Sequence, residues 1–229
     1  MDSEECALCH TSTPGALVDS AGNDLSIFHD WGSTMMANSF RDPVFRAKLA
    51  SEQARNPQLS AVIEDKCLTC HTPMARIQHI HNGGDGYSLE QAKQNDMAAD
   101  GVSCTLCHQI RPDGLGLQPS FSGHYGIDGR REIYGPYRDV FENPMLQHVN
   151  YRPVYGDHVH DSALCGTCHT LFTPYVDNSG KVAGEFAEQT PYLEWLNSSY
   201  ASGENSRSCQ DCHMPRVDEP IKITNRPPW

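Results

Sequence analysis

The sequence predicts a mainly α-helical chain with extensive loops and little or no β-sheet. Three observations support this: all ten cysteines fall into Cys-x-x-Cys-His motifs, only 38% of the 229 residues are hydrophobic, and 18 glycines and 15 prolines interrupt regular structure. Two cysteines three positions apart suit a helical turn, which directs both sulfurs to one side. No useful length of sequence alternates apolar and polar residues as a half-buried strand does.

Three segments outside the motifs carry helix signals. Two begin with proline, which is favoured at a helix start, and the third follows Ser88, which can cap it. They are Pro43 to Arg55, Leu89 to Ala99 and Pro191 to Tyr200. The stretches Gly114 to Arg138 and Tyr151 to His160 are expected to be loops or short extended pieces.

The five Cys-x-x-Cys-His motifs are the attachment signature of c-type haem. Each cysteine pair can form two thioether bonds to one porphyrin, and the next histidine is then the proximal iron ligand. Numbered along the chain, motifs 1 to 5 are Cys6, Cys9 and His10; Cys67, Cys70 and His71; Cys104, Cys107 and His108; Cys165, Cys168 and His169; and Cys209, Cys212 and His213. The sequence therefore predicts five haem c groups as cofactors.

Other uses of a Cys-x-x-Cys pair explain the pattern less well. A zinc site or a thiol redox pair places no demand on the residue after the second cysteine. A disulfide framework would not repeat one spacing five times with no cysteine left over. Haem attachment explains both features.

The low hydrophobicity indicates that side chains alone give a thin core for a chain of this length. Five large apolar porphyrins would fill the interior, with short helices and loops around them. No linker or low-complexity block divides the chain. We therefore expect one haem-packed domain over residues 1–229, which could be part of a longer polypeptide.

The formal net charge of -12 excludes nucleic acid as a natural partner. Ionised haem propionates would make the surface more acidic still. No apolar run is long enough to span a membrane. Because haem c is attached to exported polypeptides, we expect a periplasmic or extracellular protein whose leader is absent from this numbering. The expected partners are other redox proteins or cytochromes.

Histidines outside the motifs are candidates for the sixth iron ligand, because haem iron binds neutral imidazole well. His158 is the best single candidate, since it lies shortly before motif 4. His79 and His81, like His158 and His160, are separated by one residue, so at most one of each pair should reach a given iron. The distal candidates are His158, His124, His29, His148 and His79.

Methionine is the alternative sixth ligand and raises the reduction potential relative to histidine. Met36 is the methionine candidate, although core packing is the ordinary role of such a residue. No histidine follows His213. A distal histidine for the fifth haem must therefore come from upstream or from another polypeptide, or the iron could remain five-coordinate.

Several stretches resemble the multihaem cytochrome c group that includes the cytochrome c554-like proteins. Trp31 to Ala37 is similar to that group's W-x-x-S-x-H-A segment, in which the histidine ligates a haem, with Met36 at the matching position. His158 to His169, HVHDSALCGTCH, is similar to a segment with a histidine shortly before a haem motif. EQTPYLEWLNSSY followed by CQDCHMP is similar to a tryptophan helix before a haem site. The resemblance implies neighbouring haems packed closely enough for fast electron hopping.

Three functions are compatible with these features. The first is electron transfer between redox partners outside the cytoplasm, with no catalytic residues. The second is an oxidoreductase acting on a small nitrogen or sulfur compound at an open iron, which a polar aromatic stretch comprising His124, Tyr125, Arg130, Arg131, Tyr134 and Tyr137 could surround. The third is a subunit of a cytochrome filament or conduit, or another homo-oligomer, with haem ligands exchanged between chains.

Overall fold

The structure, a computed structural model, describes residues 1–214 and 216–225. It has two compact units: Met1–Cys107 with the segment that begins at Val217, and His108–Arg216. The boundary falls within motif 3, between Cys107 and His108. A single domain over residues 1–229 stays a prediction.

The first unit is built from short helices. They are α1 (Ser3–His10), α2 (Ile27–Gly32), α3 (Met35–Asn38), α4 (Pro43–Arg55), α5 (Ser60–His71), α6 (Pro73–His81), α7 (Leu89–Lys93), α8 (Asp96–Ala99) and α9 (Cys104–Cys107), with a 3-10 turn at Pro57–Leu59. The predicted mainly α-helical fold is confirmed.

The second unit mixes short helices with two small sheets. Its elements are β1 (Glu132–Gly135), α10 (Asn143–Val149), β2 (Arg152–Tyr155), α11 (Ser162–Gly166), β3 (Leu171–Val176), β4 (Val182–Gln189), α12 (Pro191–Leu196) and α13 (Cys209–His213), with 3-10 turns at Gln118–Ser120 and Asp157–His160. β1 and β2 are parallel, and β3 and β4 form an antiparallel hairpin.

Helix α4 has the predicted bounds because its start is fixed by local chemistry. The Asp42 carboxylate accepts hydrogen bonds from the backbone nitrogens of Val44 at 2.9 Å and Phe45 at 3.2 Å, and Pro43 occupies the first helical position. Phe45 and Leu49, one turn apart, are the buried residues of this helix. They join the main apolar core of the unit.

The predicted helix Leu89–Ala99 is two helices. Ser88 and Gln91 form a reciprocal capping box at the start of α7. Asn95 then starts α8 by accepting from the Met97 nitrogen at 3.0 Å, while its amide donates to the Tyr87 hydroxyl at 3.1 Å. Asn95 thus offers the backbone an alternative to a continuous helix. Helix α12 likewise ends at Leu196, earlier than the predicted Tyr200.

In the described part of the second unit, Phe121, Ala163 and Tyr192 form a buried cluster, and Phe172 of β3 packs against them. Ile110, Tyr151 and Leu164 are also buried. Strand β4 is mostly exposed. The strands are few and short, consistent with the predicted scarcity of β-sheet, although the β3–β4 hairpin has no counterpart in the sequence prediction.

No helix in residues 1–214 or 216–225 is both long enough and apolar enough to cross a lipid bilayer.

A half-buried ion pair ties the helix of motif 2 to the next helix. The Arg76 guanidinium donates two hydrogen bonds, each 2.8 Å, to the two oxygens of Asp65, which also accepts from the Tyr87 nitrogen at 2.9 Å. Burial is the largest single influence and raises the pKa of Asp65, but the hydrogen bonds and charge of Arg76, together with the Tyr87 amide, hold the pKa of the carboxyl below its ordinary value. The pair therefore stabilises the packing of α5, α6 and the loop that leads to Tyr87.

Replacement of Arg76 by lysine should reduce the free energy of unfolding by about 1–2 kcal/mol, because one bidentate bond becomes a single contact. The loss in the free energy of unfolding should be largest at pH values above the ordinary carboxyl pKa of about 3.9. It should shrink as the pH falls through the lower pKa that Asp65 has in the folded state. Thermal unfolding followed by circular dichroism at several pH values measures it. The control is Glu52→Gln, which breaks the exposed Lys48–Glu52 ion pair. This substitution should change the free energy of unfolding little. Equal losses in both variants would contradict the assignment.

Candidate haem-binding site

All five cysteine motifs lie on helical turns. Helices α1, α5, α9 and α13 each contain both cysteines of a motif. Helix α11 ends at Gly166, but the turn continues, because the nitrogens of Cys168 and His169 bond to the Cys165 carbonyl at 3.2 and 2.9 Å. The two thiols of each motif therefore fall on the same side of a turn, as two thioether bonds to one porphyrin require.

The chemistry of the cysteines fits thioether attachment. None of the ten is joined in a disulfide; nine are half-buried and Cys212 is exposed. Within residues 1–214 and 216–225, no three cysteine, histidine, aspartate or glutamate side chains converge as a metal site. The ten thiols thus remain available for attachment, two in each motif, and each motif has its own histidine.

Motifs 1 and 2 each lie at the C-terminal end of a helix, which ends at the motif histidine. The sequence predicts haem attachment at Cys9 and Cys70, and the structure places each as the next-to-last residue of its helix, on α1 and α5 respectively. Both are half-buried, and neither belongs to a disulfide or to a converging metal cluster among the described residues. Their position one turn after Cys6 and Cys67 suits thioether attachment, which stays a prediction for these residues.

His71 of motif 2 is held by a backbone carbonyl and by an aromatic ring. Its Nδ1 lies 3.0 Å from the Ser39 carbonyl oxygen, which can only accept, so Nδ1 carries the proton and Nε2 keeps its lone pair. The Phe45 ring stacks on the imidazole at a centroid distance of 3.7 Å and an angle of 6°. Burial lowers the pKa of His71 and favours the neutral form that binds iron.

His108 of motif 3 shows the same arrangement. Its Nδ1 lies 2.6 Å from the carbonyl oxygen of Tyr134 in β1, which again leaves Nε2 available as a ligand. Burial lowers the pKa of His108, and the nearby His158 lowers it further. These two motif histidines are therefore oriented by backbone carbonyls, which side-chain substitution does not remove.

Motifs 1 and 3 touch within the first unit. The thiols of Cys6 and Cys104 share a hydrogen bond, which raises the pKa of Cys6 and lowers that of Cys104 to about 7. The Cys104 nitrogen donates to the Ser3 hydroxyl at 3.4 Å, and that hydroxyl donates to Asp100 at 2.9 Å. Porphyrins attached to these sulfurs would have adjacent edges.

Motifs 4 and 5 touch within the second unit. The Cys209 nitrogen donates to the Ser162 hydroxyl at 2.9 Å. The side-chain amide of Gln210 donates to the carbonyls of Val159 at 3.0 Å and Asp161 at 2.9 Å. The motif histidines are also near each other, since the charge of His213 lowers the pKa of His169, which burial has already lowered.

Large apolar side chains are exposed beside the motifs. Leu8, between the cysteines of motif 1, is 57% exposed, and Val62 on the motif-2 helix is 65% exposed. Monomeric proteins rarely leave clusters of such groups in water. With the thiol pairs and the neutral histidines, this apolar surface fits haem.

Two of the distal candidates in the first unit have defined surroundings. His29 follows the start of α2, and its Nδ1 lies 2.9 Å from an Asp24 oxygen, which leaves Nε2 unblocked. His79 is half-buried, with its ring 5.3 Å from that of Tyr87 and against Gly84. Both remain candidates for iron ligation.

His158, the favoured candidate, lies beside His108 of motif 3. Its Nε2 is 2.8 Å from the Ile110 carbonyl oxygen, and its ring meets that of Tyr134 edge-on at 4.8 Å. Ligation through Nε2 would require this hydrogen bond to break. His124 and His148 are both exposed.

Met36, the alternative ligand, lies on α3 next to the segment that leads into motif 3. Its carbonyl accepts from the Val102 nitrogen at 2.9 Å. The approach requires Gly101, whose φ is +61° and where a Cβ would lie 2.5 Å from the Met36 oxygen. The Trp31 indole also bonds to the Val102 carbonyl, at 2.9 Å. The Trp31–Ala37 segment is thus bound to the start of motif 3.

The polar aromatic stretch considered for an open-iron pocket is engaged with the protein itself. Arg130 pairs with Asp128 at 2.7 Å and with Glu132 at 3.6 Å. The Arg131 guanidinium donates to the Asn150 carbonyl at 2.8 Å and lies over the Tyr151 ring at 4.6 Å. These contacts stabilise the loops around β1 and β2.

Five helical Cys-x-x-Cys-His turns, two of them with a histidine oriented by a backbone carbonyl, are the features expected of a multihaem c-type cytochrome. Comparison with known proteins agrees. Residues 5–109 match the family described as cytochrome c554 and c-prime. The fold matches the crystal structure of a penta-heme cytochrome c552 from Thermochromatium tepidum, with a TM-score of 0.56 and 17% sequence identity. The first three motifs are thus similar to the cytochrome c554 family, and the fold of the chain is similar to that of a penta-heme cytochrome.

The two matches differ in extent. The structural match covers 98% of this chain and 55% of the c552 chain, so this chain spans little more than half the length of that protein. The family match ends just after motif 3. A comparison with curated proteins found no match.

Phe45→Ala should destabilise the protein by about 3–5 kcal/mol, because it removes a buried ring and the stacking surface of His71. Denaturant unfolding of the haem-loaded chain measures the loss. The matched control is Val44→Ala at the adjacent position, which is 73% exposed and should stay within about 0.5 kcal/mol of the wild type. A small effect at Phe45 would show that its ring does not support His71.

Proposed function

We propose that this chain is a pentahaem electron-transfer protein that relays electrons between redox partners outside the cytoplasm. One haem c is attached at each cysteine motif, and haem supplies the one-electron chemistry. The contribution of the chain is to attach, orient and tune these groups through axial ligands, burial and nearby charge.

The contact of motifs within each unit is the main support for this function. Motif 1 meets motif 3 through the Cys104–Ser3 hydrogen bond, and motif 4 meets motif 5 through the Cys209–Ser162 hydrogen bond. Electron transfer between centres slows steeply with distance, so attachment points in contact favour fast exchange. A protein with one catalytic haem would have no need of such pairs.

The motif histidines are the proximal ligands in this proposal: His10, His71, His108, His169 and His213. His158, His124, His29, His148 and His79 are the distal candidates, and Met36 is the alternative. His29 has the best described orientation, because Asp24 binds its Nδ1 and fixes Nε2 as the ligand nitrogen. Methionine ligation at Met36 would give one haem a higher potential than its neighbours.

The acidic net charge of -12 favours redox partners with basic surfaces and disfavours nucleic acid. Export follows from the cofactor, since haem c is attached outside the cytoplasm. The proposal places the protein in the periplasm or outside the cell. A homo-oligomer or filament in which one chain supplies a haem ligand to the next remains an expectation from the sequence.

Haem counting tests the cofactor. Intact mass and the pyridine haemochrome absorbance of the exported chain should both give five haems, and a variant carrying Cys209→Ala and Cys212→Ala should give four. Loss of one haem identifies motif 5 as an independent attachment site. A wild-type count below five, or no change in the variant, would contradict the proposal.

Electron paramagnetic resonance of the oxidised protein, with spectroelectrochemical titration, tests the role. An electron-transfer protein should show low-spin haems that reduce and reoxidise reversibly without substrate. A high-spin signal that changes on addition of nitrite, hydroxylamine or sulfite would instead favour the oxidoreductase function.

A further inference from the structure

We propose that Ser3 and Ser162 are equivalent positioning residues, each of which fixes the separation of two haem-bearing helices. Ser3 joins motifs 1 and 3, and Ser162 joins motifs 4 and 5. The inference rests on the proposed function, because it assigns the haems to two pairs of like construction.

The sequence around these serines is repeated. Motif 1 reads DSEECALCH from Asp2, and motif 4 reads DSALCGTCH from Asp161, so both have Asp-Ser immediately ahead of the same helical turn. The partner motifs also share a start, reading SCTLCH from Ser103 and SCQDCH from Ser208. Each unit therefore combines one helix of the first type with one of the second.

The two aspartates perform the same task. Asp2 caps α1 by accepting from the Glu5 nitrogen at 3.3 Å, and Asp161 caps α11 by accepting from the Ala163 nitrogen at 2.8 Å. Because the aspartate supplies the cap, the hydroxyl of the next residue is not needed for it. The serine can then reach a neighbouring helix.

Both serines direct their hydroxyls at the same atom of the partner motif. Ser3 is fully buried and Ser162 is 1% exposed. The nitrogen of the first cysteine of the partner motif donates to each hydroxyl, Cys104 to Ser3 at 3.4 Å and Cys209 to Ser162 at 2.9 Å. The same contact occurs independently in both units.

The physical reason lies in the first turn of a helix, whose N–H groups have no partner within the helix. In α9 and α13, which are only one turn long, the first cysteine presents such a group. A buried serine on another helix satisfies it, and an alanine would leave this half-buried group without that partner, which costs free energy. The bond thus fixes how far one cysteine pair lies from the other.

The test uses the haem-loaded chain with Ser3→Ala, Ser162→Ala and the corresponding threonine variants, which keep the hydroxyl. The readouts are haem content and the exciton signal that coupled haems give in circular dichroism of the Soret band. Each alanine variant should keep five haems and lose the exciton contribution of its own pair, and the threonine variants should restore it. The control is Ser120→Ala, which removes a buried serine bonded to the Leu117 carbonyl away from any motif.

An unchanged exciton signal in alanine variants with five haems would overturn the inference, as would an equal effect of Ser120→Ala. Failure of the proposed function gives a different result, namely fewer than five haems or no reversible reduction in the wild type. A further measurement needs no variant: hydrogen exchange in the wild type should protect the Cys104 and Cys209 amides. Exchange at the rate of open amides would also overturn the inference.

Discussion

The helices that contain the cysteine motifs are too short to be stable alone, and this constraint governs the rest of the structure. Isolated helices of fewer than about 12 residues are marginal in water, and α9 and α13 are a single turn. Their stability must come from outside the segment: from caps, from the neighbouring motif helix and, in the proposed haem-loaded protein, from covalently attached porphyrin. The second unit is short of large buried side chains as well, since among its described residues they are Ile110, Phe121, Tyr151, Leu164 and Tyr192.

Local signals predicted the parts of the fold that local chemistry controls. Helix α4 has the predicted bounds because Asp42, Pro43 and the Phe45–Leu49 spacing act within one segment. The prediction of one helix over Leu89–Ala99 was wrong because of Asn95. Its side chain bonds to the Tyr87 hydroxyl, and only the folded chain brings that hydroxyl near. The β3–β4 hairpin was not predicted for a related reason: β4 is mostly exposed and pairs only with β3, so its residues lack the alternation of apolar and polar side chains that marks a half-buried strand.

In the candidate site, too, the features that are local in sequence were predicted and those that depend on remote residues were not. The cysteine motifs are contiguous in sequence, so the attachment points and motif histidines can be identified without a structure. The groups that orient them are remote: the Ser39 and Tyr134 carbonyls that bind His71 and His108 are backbone atoms with no sequence signature. Distal ligands are equally remote, which is why sequence offers several histidines and no assignment. The Asp-Ser repeat can be read from the sequence, but its role is apparent only from the contacts of Ser3 with Cys104 and of Ser162 with Cys209.

The two motif pairs are alike in hydrogen bonding and unlike in charge. In the first unit the Ser3 hydroxyl and backbone nitrogen both donate to Asp100, a carboxyl whose pKa burial raises despite these bonds. The cap carboxylates Asp2 and Asp161 correspond to each other, so Asp100 is an additional carboxyl beside the first pair. In the proposed haem-loaded protein, reduction adds negative charge, so an ionised Asp100 would oppose reduction of the first pair more than of the second. The same serine contact in both units would then keep the spacing of the two pairs alike, while this difference in nearby charge would give their haems different potentials.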